Sequence, residues 1–333
     1  MDRAAKEFLR ELALRGIIVG FSEKRIYVES EEKARAALAA VRSFGLGDVY
    51  KEKDIAVIGR VQALGTQGNF RTQKWRPLMM GISVGHREIT AGTLGGFASK
   101  DGEKYVVSNA HVLHPWPFMV QPPYSTKVWQ PGPHDTRYDY EHENDYYVAD
   151  YAQHVRIHSI YEYPQCPISK TINALYRALG RSSRVRTLQV PNYVDLAVAR
   201  IIEGVGIVNN TYAYVVEKNA DFAASKSVFI GNLFAGTSLG HAVICKTAKY
   251  WSKYFPGYDL LFERTQAEVE PGDKLKKDGR TSGATIGTVW DESTSLAVGY
   301  WLDVAWFEDV ILTYEDIKAQ GGDSGSPVFL AEQ

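Results

Sequence analysis

From about Pro77 onward the chain is cut into short runs rich in Val, Ile, Tyr and Thr, separated by Gly, Pro, Asn and Asp. Residues 81–84, 88–94, 104–107, 195–201 and 213–216 are such runs. β-Branched and aromatic side chains favour extended backbone, and the breakers between them supply turns. Runs this short, with turn signals and without alternating amphipathic helices, fit an all-β barrel or sandwich rather than βαβ units. A single inserted helix is expected over 171–180, ending at Gly180.

The opening stretch differs. Phe8, Leu9, Leu12 and Leu14 are spaced among charges as on an amphipathic helix, which Gly16 stops. Strand-like runs follow at 17–21 and 25–29, then an alanine-rich helix from Glu31 to Val41 with Ser30 as N-cap and Gly45 beyond its end. Two more strands are expected, around Val49 and over 55–61. The α-β-β-α-β-β order reads as a small α/β domain over 1–65, joined by a linker (66–76) to β units over 77–215 and 216–333. The first unit carries a loop-rich insertion, 114–190. Its first part is acidic (Asp135, Asp139, Glu141, Glu143, Asp145, Asp150) and its second basic (Lys170, Arg177, Arg181, Arg184, Arg186), as two solvated segments that face each other.

Composition removes several functions. Thirty-eight basic residues against 39 acidic ones leave a net charge of −1, without the basic excess that phosphate-backbone binding requires, so no nucleic-acid partner is expected. A hydrophobic content of 45% with 23% charged residues excludes wholesale disorder. No apolar stretch is long enough to span a bilayer, and the charged start lacks a signal-peptide core, so a cytoplasmic protein with no membrane partner is expected. Two cysteines, Cys166 and Cys245, are too few for a disulfide framework and read as reduced thiols, able to pair only if the fold brings them together.

The chemistry lies near the C-terminus. In Gly321-Gly322-Asp323-Ser324-Gly325-Ser326-Pro327 a serine sits on a tight turn of small residues, where its hydroxyl reaches outward. Gly322 lets its N–H point into the same space as that of Ser324, giving two donors for an oxyanion. A serine needs a base. His111 ends an apolar strand, Tyr105-Val106-Val107-Ser108-Asn109-Ala110-His111, and is the candidate, whereas His134, His142, His154 and His158 lie in the polar insertion. His154 and His158 are spaced like metal ligands but no third ligand follows, so no metal is expected. Asp195, in the apolar run Val194-Asp195-Leu196-Ala197-Val198-Ala199, needs a specific partner to offset its burial. It is the candidate to orient His111.

In this His, Asp, Ser order the sequence resembles chymotrypsin-like serine proteases, most closely the non-secreted trypsin-like peptidase domains of bacteria, archaea and their viruses. Ile89-Thr90-Ala91-Gly92-Thr93-Leu94-Gly95 resembles an opening strand of that family, and Ser108-Asn109-Ala110-His111-Val112-Leu113 its histidine motif. Gln130-Pro131-Gly132-Pro133 is similar to a family loop, and Lys277-Asp278-Gly279-Arg280-Thr281-Ser282-Gly283 to its lysine-x-glycine-arginine-threonine-x-glycine strand. The resemblance covers about 77–333. It implies a mainly β, double β-barrel fold behind the N-terminal domain, and a serine endopeptidase that cleaves a protein or peptide substrate through an acyl-enzyme without metal or cofactor. The alternative is a catalytically silent protease fold used for binding.

Two departures stand out. Only nine residues follow Ser324, too few for the strands and helix that family members place after the nucleophile. The stretch from Val228 to Ser238, followed by Ala242-Val243-Ile244-Cys245-Lys246 and a helix to Tyr254, resembles that missing hairpin. A circularly permuted second barrel is therefore expected, with Phe234, Ala235, Gly236 and Thr237 walling the substrate pocket. Secondly, the N-terminal domain leaves no free amino terminus to pair with Asp323. The resemblance also implies that the residue six before the nucleophile, here Lys318, lies at the base of the specificity pocket, where it would favour an acidic side chain.

Overall fold

The computed structural model describes residues 3–59, 61–62, 70–160, 167–181, 190–212, 228–301 and 303–331. Cys166, Arg184, Arg186, the run 213–216 and residues 63–69, including the linker positions 66–69, lie outside them. Among the described residues the architecture is mainly β, with two large curled sheets and a two-stranded one formed by Leu78–Met80 and Ile207–Tyr212. Among the described residues no helix is long and apolar enough to cross a membrane.

The first sheet runs from one edge to the other through Asp259–Leu260, Gly96–Lys100, Glu103–Ser108, Ala197–Ile201, Tyr147–His154, Lys127–Trp129, Ser83–His86 and Gly92–Thr93. Among the described residues its two edge strands are not paired to each other. It is therefore a half-barrel, and the expected closed barrel is corrected here. The edges are covered instead: the nucleophile turn docks on Thr93, whose N–H donates to the Ser324 carbonyl at 2.7 Å.

The second sheet is curled more fully. Lys274–Gly279 pairs with Pro327–Leu330, and this with Val228–Thr237, then Ala242–Cys245, Asp303–Thr313 and Gly283–Tyr300. The last strand pairs back onto Lys274–Gly279, so the hydrogen-bonding path returns to its start. Ile230, Leu233, Ile244, Leu275, Val289, Ile311 and Val328 pack together as a buried cluster. Each such side chain contributes about 1.5–3 kcal/mol by leaving water.

The segment expected to follow the nucleophile stands where the missing hairpin was sought. Val228–Thr237 runs antiparallel to Pro327–Leu330, with Val228 opposite Leu330 and Asn232 opposite Pro327. Its other side pairs with Ala242–Cys245, and the helix Thr247–Tyr254 follows.

At the N-terminus the helices are Arg3–Leu14 and Glu31–Ser43, the second capped by Ser30, whose hydroxyl accepts from the Lys33 N–H. The run around Val49 is a turn, not a strand. The N–H groups of Val49 and Tyr50 both donate to the Leu46 carbonyl, at 3.1 and 3.0 Å, because Gly45, Gly47 and Asp48 break the extended backbone. The strands Gly20–Phe21, Ile26–Val28 and Ile55–Val57 extend the second sheet, Gly20 pairing with Leu296 of Gly283–Tyr300. Leu9, Leu12, Phe21, Ile26, Val28 and Val41 pack there against Trp306. The acidic half of the insertion finds partners outside its basic half: Asp135 pairs with Arg280, and Glu143 with Lys127 and Arg87.

Candidate active site

His111 lies in the first turn of the short helix Ala110–Leu113, which follows the strand Glu103–Ser108 through Asn109. Asp195 precedes Ala197–Ile201, the neighbouring strand, and is fully buried. Adjacency in the sheet brings the pair together: His111 Nδ1 stands 2.5 Å from Asp195 Oδ2. Because Nδ1 faces a carboxylate it carries the ring proton, which leaves Nε2 free as a base.

The Asp195 carboxylate is held from three further sides. Oδ1 accepts the main-chain N–H groups of Ala110 (2.6 Å) and His111 (3.3 Å), and Oδ2 accepts the Tyr300 hydroxyl at 2.7 Å. Burial and the neighbouring carboxylate raise the Tyr300 pKa well above its ordinary value, so the phenol stays a donor. The Tyr300 ring also lies edge-on to the His111 ring, centroids 5.6 Å apart. Tyr300 comes from the second sheet and carried no sequence signal, being one aromatic in a strand-forming run.

Ser324 lies on the turn between the two sheets. Gly325, at φ +97°, has no room for a side chain: a Cβ would stand 2.1 Å from the Thr93 carbonyl oxygen. Gly322 is likewise at φ +88°, with Arg280 and Thr281 where a Cβ would go. The turn is clasped by Thr93 Oγ1 donating to the Gly322 carbonyl (2.7 Å), by the Gly325 N–H to Leu233 O (2.8 Å), and by Asn232 Nδ2 to Gly325 O (2.9 Å). Among the described residues the N–H groups of Gly322 and Ser324 have no acceptor. The Ser324 hydroxyl donates to the Phe234 carbonyl at 3.3 Å, and no hydrogen bond joins it to His111 among the described residues. The segments that carry them both pack against Gly92, where a Cβ would lie 2.5 Å from Val112, the residue after His111, and 2.8 Å from the Ser324 carbonyl oxygen.

Asp323 has a buried cation beside it. Its carboxylate, fully buried, is 3.2 Å from the equally buried Lys277 ammonium. It also accepts the N–H groups of Thr281, Ser282 and Gln320, each at 3.0 Å, and the Ser282 hydroxyl. The signal in the sequence was a charged run, Lys276 to Arg280, inside a strand-forming segment. Lys277→Met leaves Asp323 buried without its counter-charge and is expected to lower unfolding stability by about 3–5 kcal/mol. Urea denaturation measures it, and Lys277→Met with Asp323→Asn should lose less than Lys277→Met alone.

The positions expected to form the specificity pocket differ in their placement. Lys318 is exposed at the left-handed end of the turn Glu315–Ile317, a solvent-facing position rather than the floor of a pocket. The Phe234 ring is buried against Phe307, centroids 4.6 Å apart, so only its main chain meets Ser324. Ala235, Gly236 and Thr237 are buried too. Cys245 is a buried free thiol whose pKa burial pushes up to about 11.

His114 closes the helix that carries His111. It uses both ring nitrogens as a neutral imidazole: Nδ1 accepts the Trp116 N–H (3.0 Å) and Nε2 faces the Gln121 carbonyl (3.1 Å). Burial, reinforced by neighbouring His154, lowers its pKa to about 4. The unfolded chain therefore binds more protons than the folded one between the ordinary histidine value, about 6.5, and that lowered value. Stability from this group is full above the unfolded pKa and is lost as pH falls through the window. His86 and His154, also lowered by burial, act in the same sense. Tm should fall on acidification across this range, and less steeply in His114→Asn.

No protein-family model matches the chain, and no curated protein matches it. Among solved structures it is similar to Protease A of Thermobifida fusca, at 11% identity and a TM-score of 0.32 over 75% of this chain and 76% of that one. It is also similar to a glutamic-acid-specific serine protease that uses a histidine triad in substrate binding (11% identity, TM-score 0.29, 76% and 92% covered). A third is a Nocardiopsis protease (9% identity, TM-score 0.31, 76% and 91% covered). Identity and TM-score are too low for a residue role to pass from any of them to this chain.

Proposed function

We propose that the chain is a serine endopeptidase with a His111–Asp195–Ser324 triad, built on a half-barrel and a second, circularly permuted barrel. One observation carries it: a buried, multiply bonded Asp195 fixes the His111 tautomer beside a turn that offers Ser324 with two free main-chain donors. His111 Nε2 takes the Ser324 proton as Oγ attacks the scissile carbonyl carbon, and the Gly322 and Ser324 N–H groups receive the oxyanion. The proton passes to the leaving amine, and water hydrolyses the ester by the same route. Apart from a polypeptide substrate, the chemistry needs no metal or cofactor. The pairing of Val228–Thr237 with the strand after Ser324 supports the permutation.

A second reading has its own support. The Ser324 hydroxyl turns to Phe234 and away from His111, as it would in a silent binding module. Catalytic hydrogen bonds are often unformed without substrate, which favours the enzyme. A fluorophosphonate probe separates the two: labelling lost in Ser324→Ala supports the peptidase, and an unlabelled, folded wild type supports the module.

A further inference from the structure

One side of Val228–Thr237 has three successive neighbours. Asn232 pairs with Cys245 on one side and with Pro327 on the other. Gly236 pairs with Ala242 on the first side, so its second partner, Gln62, lies on the same side as Pro327. Between these pairings the strand opens onto the nucleophile turn, Leu233 O accepting from the Gly325 N–H and Phe234 O from the Ser324 hydroxyl. Gln62 also pairs with Gly299, the residue before Tyr300, whose hydroxyl holds Asp195. The short strand Val61–Gln62 thus touches both the strand whose Phe234 carbonyl meets Ser324 and the strand that carries Tyr300.

Its direction matters. Thr237 is opposite Val61 and Gly236 opposite Gln62, so any strand in this register advances toward Phe234 and brings its residue two further on opposite Phe234, beside Ser324. A peptide docking by strand addition gains its affinity from main-chain hydrogen bonds along such an edge. We infer that Val61–Gln62 occupies, within the same chain, the edge on which a substrate's main chain docks, and so holds the site in check. The inference rests on the peptidase reading above for what the edge serves. The occupant is firmly seated: Ile58 is buried, its N–H donates to Val28 O at 2.9 Å, and Gly59 (φ +73°) is so close to Ser238 that a Cβ would stand 2.3 Å from its Oγ. A tethered occupant acts at millimolar effective concentration, so a free peptide competes poorly until the strand is released.

The test locks and releases this strand in the full chain. Residues paired across antiparallel strands have Cα atoms about 4.5–5.5 Å apart, within disulfide range, so Val61→Cys with Thr237→Cys should cross-link on oxidation. The probe is a fluorescent synthetic peptide of residues 57–64, followed by anisotropy. Reduction should tighten its binding about tenfold or more relative to the oxidised form of the same variant. Gln62→Pro, which removes a main-chain donor from the pairing, should tighten it relative to wild type. Equal binding in the oxidised and reduced states, with the disulfide confirmed by mass, overturns the inference. Fluorophosphonate labelling, measured in parallel, reads the peptidase proposal alone: its absence with redox-dependent peptide binding leaves the occupied edge standing and removes the catalytic role.

Discussion

Alanine at His111 or at Ser324 is expected to lower kcat for peptide hydrolysis by roughly 10⁴–10⁶, and the double variant scarcely further. That is about 5.5–8 kcal/mol of barrier. The reason is the unit they form. Without Nε2 of His111 the Ser324 hydroxyl keeps its proton and is a weak nucleophile, and without Ser324 the base has no proton to accept. What remains is the pair of free N–H groups on Gly322 and Ser324, which polarise a carbonyl with no attacking group of the protein. Steady-state kinetics on the three variants checks it. Losses that multiply in the double variant would mean that the two residues do not share one proton relay.

Asp195→Asn should keep the fold and cost about 10⁴ in kcat. The geometry says which way the amide turns. Oδ1 of Asp195 accepts two main-chain N–H groups, which cannot be reoriented, so the amide oxygen must take that place. The amide nitrogen then faces His111 Nδ1 and the Tyr300 hydroxyl. Tyr300 can turn its hydrogen away, but the imidazole must accept at Nδ1, which moves its proton to Nε2. The base is then protonated on the face that meets Ser324. A variant with unchanged Tm and a matching loss in kcat supports this account. An active Asp195→Asn would mean that the carboxylate is there to hold residues 109–111 rather than to set the tautomer.

The parts of this molecule legible in the sequence are those governed by local chemistry. The two N-terminal helices follow from spacing and from the Ser30 cap, and the hairpin of Val228–Thr237 with Ala242–Cys245 from two strand-forming runs about a glycine turn. His111 and Asp195 were readable because each is a polar group at the end of an apolar run, which demands a partner. Long-range pairing was not readable. Nothing local announces that Tyr300 reaches Asp195 or that Val61–Gln62 lies against Gly236–Thr237, and the charged run around Lys277 does not name Asp323 as its partner. Each joins segments tens to hundreds of residues apart. Lys318 failed for a related reason: counting back from the serine assumes a loop conformation, and the left-handed turn at Lys318 sends that side chain outward.

The central claim is that Ser324 is acylated and that His111 makes it so. Mixing the chain with an activated ester and quenching in acid traps the intermediate for intact-mass and peptide-mapping analysis. The account predicts one acyl group per chain, on the peptide carrying Ser324, formed in a burst and absent in both Ser324→Ala and His111→Ala. An acyl group that persists in Ser324→Ala, or wild-type protein that stays unmodified while folded, would contradict it.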